Sequence, residues 1–108
     1  MDETKSTERT SLASRVRAGV KLLDEELPGW EQRMNLASFD VWLARSCVLG
    51  QLFGHYRQGA TALFGPEWDA EPAGYGFDVS YCDEGHETCR RLTRLWSFAI
   101  RQRQAVSQ

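Results

Sequence analysis

Nothing in this sequence is long and apolar enough to cross a bilayer, which takes roughly 20 consecutive apolar residues. Residues 1–10 are polar, carry charges of both signs and contain no apolar core with a cleavage site. A secretory signal is therefore not expected. Cysteine is scarce and odd in number (Cys47, Cys82, Cys89), which is poor material for a disulfide framework. A cytoplasmic protein is the expectation. There is no internal repeat and no low-complexity tract. A Gly-rich phosphate loop, a serine nucleophile elbow and a metalloprotease H-E-x-x-H are all missing. Nucleotide hydrolysis and the common hydrolase chemistries lose their usual signatures, and no enzyme activity is expected.

What is present suits one globular domain. The chain has 108 residues, and a chain of that length buries roughly 65% of its unfolded surface. Four Trp, five Phe and three Tyr are a generous supply of rings for a single core. Residues 1–9 are expected to be a disordered tail, 10–103 the domain, and 104–108 a frayed end.

Three amphipathic helices account for most apolar residues. The first starts at Thr10 or Ser11, either of which can cap it. Leu12, Val16, Val20, Leu23 and Leu27 follow at helical spacing, and Pro28-Gly29 ends it. Residues 30–34 fit one helical turn with Trp30 and Met34 on one side. The second helix, capped by Ser46, carries Val48, Leu49, Leu52, Phe53, Tyr56, Ala60 and Leu63 in a broad stripe. Gly50 and Gly54 share a face of it, which suits close approach of a backbone or a ring. The third runs from Glu87 to Arg103 and buries Leu92, Leu95, Trp96, Ala99 and Ile100. Residues 75–81 alternate in strand fashion, and residues 39–43 are the one available partner. The expected fold is mainly α: a small three-helix domain with at most one short two-stranded hairpin.

Several stretches carry a resemblance: Leu23-Asp24-Glu25 with Pro28-Gly29-Trp30, and above all Cys47-Val-Leu-Gly-Gln-Leu-Phe-Gly54. Tyr75-Gly76-Phe77 and Leu92-Thr93 with Trp96 extend it. The chain resembles a family of small uncharacterised proteins of actinobacterial bacteriophages and prophages over about residues 17–100. The resemblance implies an accessory role in a host-cell cytoplasm and brings no enzyme activity. The apolar stretch 37–46 and the long loop 65–73 depart from the family pattern.

Cys82, His86 and Cys89 form C-x3-H-x2-C, and Cys47, His55 or Asp83 could complete a tetrahedral zinc set. The spacing matches no standard knuckle, so a plain turn is the favoured reading, with no metal and no cofactor expected. Cys47 sits at a helix start, where a thiol pKa is lowered. His55 lies two turns on, too far to serve it as a base along that helix, so an inert buried cysteine is favoured over a nucleophile.

Net charge is −2, which speaks against indiscriminate nucleic-acid binding. Charge is unevenly placed, however. Residues 67–87 hold seven acids (Glu67, Asp69, Glu71, Asp78, Asp83, Glu84, Glu87) and no Lys or Arg, whereas residues 90–103 hold five Arg and no acid. Mutual neutralisation within the fold is the plain expectation. Two binding readings stand beside it. In the first, aromatic residues in loops contact a partner protein, with Trp68, Trp42 and Tyr81 as anchors and Trp68 the most exposed. In the second, Arg90 and Arg94 on the third helix contact nucleic acid. A homodimer is compatible with both.

Overall fold

The computed structural model describes residues 11–78 and 87–107. Among the described residues there are five α-helices, one 3-10 turn and no strand. No helix among them is long and apolar enough to cross a membrane. The mainly helical expectation holds.

Helix α1 (Leu12–Glu26) is capped by Ser11, whose hydroxyl accepts from the Ser14 amide at 3.0 Å. Val16, Gly19 and Leu23 face inward. The helix stops where expected: Leu27 closes it, and Gly29 takes the left-handed conformation with φ of 86°. The chain then makes the 3-10 turn Trp30–Arg33, with Trp30 and Met34 buried.

Residues 35–46 are a succession of turns. Asp40 Oδ1 accepts from the Trp42 amide at 2.9 Å, and the Leu43 amide returns to the Asp40 carbonyl. The Val41 amide donates to Thr93 Oγ1 at 3.1 Å. With these donors already satisfied, residues 39–43 have no ladder to offer a second strand. Phe39 and Val41 are both buried, but Leu43, the next residue of the alternation Phe39, Val41, Leu43, is exposed.

The second expected helix is two helices, α2 (Val48–Phe53) and α3 (Tyr56–Phe64). Cys47 caps α2 in place of Ser46, its sulfur accepting from the Gly50 amide at 3.3 Å. Gly54 breaks the helix at φ of 99°, and the Tyr56 amide leaves to bond the Ala44 carbonyl at 2.8 Å. His55 then caps α3 through Nδ1 to the Arg57 amide. The expected close approach is real at Gly50, whose missing Cβ would lie 2.3 Å from the Ala44 carbonyl oxygen. Gly54 is instead the corner.

The loop after α3 contains a one-turn helix, α4 (Glu71–Gly74), with Pro72 in its first turn. Tyr75 and Phe77 follow in a turn, not a strand, because the Tyr75 and Phe77 amides both return to the Pro72 carbonyl. Both rings still pack together, against Phe64. Val79, Tyr81 and the expected turn at residues 83–86 lie outside the described residues.

Helix α5 (Glu87–Ser107) buries Leu92, Trp96 and Ile100 completely. It continues past Arg103, where the third helix was expected to stop. Gln104 donates from its side chain to the carbonyls of Glu31 at 2.9 Å and Met34 at 3.1 Å. Arg103 pairs with Asp24 and with the buried Glu31, and its guanidinium sits 5.8 Å from the Trp30 ring. One arginine of the basic block is thereby committed to α1 and the 3-10 turn, not to the acidic block.

Candidate functional site

The tether between Val41 and Thr93 lays the 39–43 turns against the first half of α5. A groove of about 470 Å³ opens between them. Its floor is apolar, made of the buried Phe39 and Cys89. Trp42 forms one wall and is 48% exposed. Arg90 and Arg94, one helical turn apart and both exposed, form the other. Thr93 and Asp40 complete the lining.

The groove thus joins residues that the two binding readings kept separate. Trp42 belonged to the protein-partner reading and Arg90 and Arg94 to the nucleic-acid reading. Trp68 is not the free ring it was expected to be. It is half-buried, donates to Thr61 Oγ1 at 3.1 Å and stands edge-on to Tyr56 with centroids 5.6 Å apart. Tyr81 lies outside the described residues. Three exposed apolar residues were missed: Leu43 at 48%, Phe98 at 61% and Val106 at 85%. Phe98 lies off the stripe of Leu92, Trp96 and Ile100 and between Arg94 and Arg101, a position that helical spacing alone places on the outer face.

Of the C-x3-H-x2-C motif only Cys89 is among the described residues, where it is buried. Cys47 is also buried, with a free thiol. Burial pushes its thiol pKa up, and the hydrogen bond from the Gly50 amide pulls it down without prevailing. Burial thus outweighs the helix start at this thiol. His55 Nδ1 accepts from the Arg57 amide in capping α3. Tyr56 donates its hydroxyl to Asp78 at 2.8 Å, and burial together with that carboxylate raises its pKa well above the ordinary phenol range. Cys47, Tyr56, Asp78 and Trp42 all border a cavity of about 110 Å³.

Both raised groups hold their protons more tightly folded than unfolded. Their contribution to stability is therefore present below the ordinary thiol and phenol pKa values and is lost as pH rises through the folded ones. In a Cys82→Ser, Cys89→Ser background, Cys47 should label with a maleimide at a rate set by unfolding. Labelling should accelerate with urea. Fast labelling of the native state at neutral pH would refute the inert assignment.

The class that this geometry defines is a small, mainly helical domain with a groove walled by tryptophan and arginine. No protein-family model matches the sequence, and no curated protein or solved structure matches it.

Proposed function

We propose that this chain is a non-enzymatic accessory protein of the phage or prophage type its sequence resembles, acting by binding a host or phage protein through the groove. One observation carries the reading: Trp42 stands 48% exposed on a tethered turn, facing two arginines across an apolar floor. Tryptophan and arginine are the residues that most often dominate interface energetics. A rigid turn holds the ring in place before binding, so little ordering entropy is lost on contact.

Nucleic-acid binding by α5 is the second reading. Arg90, Arg91, Arg94 and Arg101 are exposed on that helix. It is weakened by Arg103, which is engaged with Asp24 and Glu31, and by the exposed Phe98 ring between Arg94 and Arg101 on the same helix face. Too few phosphate contacts remain for more than weak, salt-sensitive binding.

The test is a pull-down from actinobacterial lysate, with and without nuclease, using the wild-type protein and Trp42→Ala. A protein retained in both arms by the wild type should fall at least about tenfold with the variant, as expected for loss of an anchor. Circular dichroism of Trp42→Ala should keep the helical signal, because the residue lies in the 39–43 turns and outside every helix. Recovery confined to the arm without nuclease would move the function to nucleic acid.

A further inference from the structure

The groove lining ends at Arg94, but the exposed face of α5 that carries Arg94 continues beyond it. One turn further along α5 comes Phe98, and three residues later Arg101, all three exposed. Spacings of four and three keep Arg94, Phe98 and Arg101 on one helix face. From Arg90 to Arg101 the surface extends about 17 Å along the axis. It presents cation, cation, ring and cation in that order, with Trp42 beside Arg90 and Arg94 in the groove. Among the described residues no carboxylate pairs with Arg94 or Arg101.

Building on the groove reading, we infer that the partner element is an acidic amphipathic helix laid along α5. Its apolar stripe would cover Trp42 and Phe98, and its carboxylates would meet Arg94 and Arg101. Helix-in-groove recognition uses anchors three and four residues apart, the spacing that α5 offers. Charge complementarity selects an acidic partner. A phosphate backbone fits less well. It brings negative charge to the arginines but no apolar stripe to cover the exposed Trp42 and Phe98. A second copy also fits less well. The outward positions of α1 mix Arg17 and Lys21 with Glu25 and Glu26, and those of α3 include Arg57 and no acid. No helix among the described residues displays an acidic stripe.

The test pans the immobilised full chain against a random library of peptides about 14 residues long, roughly 21 Å as helix. Enriched peptides should carry Asp or Glu three or four residues apart beside a stripe of Leu, Phe or Trp. Their binding should weaken about tenfold with Arg94→Glu and again with Arg101→Glu, and return when the facing peptide carboxylates become lysines. All these positions are exposed, so circular dichroism should show the variants folded. Enriched apolar or basic peptides that need Trp42 but ignore Arg94 and Arg101 would overturn the acidic helix and leave the groove reading standing. No enrichment, or enrichment indifferent to Trp42 and to both arginines, would overturn both. Arg94-dependent binding of labelled single-stranded DNA tighter than that of any peptide would transfer the surface to nucleic acid. Self-association in sedimentation that the Arg94→Glu variant abolishes would transfer it to a second copy.

Discussion

Trp96→Ala should cost about 4 kcal/mol, a large share of the 5–15 kcal/mol that holds an ordinary domain folded. Trp96 is completely buried and touches three parts of the fold at once. It meets Trp30 edge-on at 6.0 Å and stacks on Phe77 at 5.5 Å, with planes 16° apart. Its indole nitrogen donates to the Gly76 carbonyl at 2.6 Å. The ring reaches α1 because Gly19 has no side chain: a Cβ there would sit 2.8 Å from it. Deleting the ring leaves a cavity among rigid neighbours that cannot all close in. Trp96→Phe isolates the polar part of the loss. It keeps most of the packing and orphans a buried carbonyl, at a cost of about 1–3 kcal/mol. Urea unfolding followed by circular dichroism measures both. A Phe variant as stable as the wild type would mean that the Gly76 carbonyl finds another partner.

Gly50→Ala should destabilise the domain by about 2 kcal/mol, although alanine is the better helix former by about 1 kcal/mol. The added Cβ would lie 2.3 Å from the Ala44 oxygen and 2.7 Å from Arg45 backbone atoms. Backbone has no rotamer to change, so the 44–47 turn must move, and with it the Cys47 cap and the Tyr56 amide bond to Ala44. Gly74→Ala is the matched control. Nothing lies within 4 Å of a Cβ at that position. Its melting temperature should match the wild type or slightly exceed it, whereas Gly50→Ala should fall by about 10 °C. Equal behaviour of the two variants would refute the close-packed turn.

The elements that were legible in the sequence are those whose signals are local. Helix α1 announces itself by Ser11, by its apolar spacing and by Pro28-Gly29; α5 does so by Leu92, Trp96 and Ile100. The break between α2 and α3 is invisible to periodicity, because the apolar stripe runs on from Leu52 to Tyr56 and Ala60. It depends on the carbonyl of Ala44, contributed by a turn that the sequence does not spell out. The alternation at Tyr75 and Phe77 reported correctly that both rings turn inward. It misreported the backbone, since a turn folded back on Pro72 produces the same grouping. Trp68 was misplaced by its acidic neighbours, which say nothing of the Thr61 hydroxyl and the Tyr56 ring that hold it. The groove was legible only in pieces. Trp42, Arg90 and Arg94 could each be named, but the bond from Val41 to Thr93 that unites them spans 52 residues of sequence.

The two longest helices, α1 and α5, pack against each other from nearly opposite ends of the described chain, through Gly19 and Trp96. In kinetic terms this contact closes the largest loop in the fold, and loop-closure entropy has to be met before the contact repays it. The α2–α3 corner, by contrast, closes over a handful of residues, with Gly59 against Leu49 and Phe53. The expected order of assembly is therefore corner first and α1 onto α5 last. A change at Gly50 would then slow folding, and a change at Trp96 would mainly hasten unfolding.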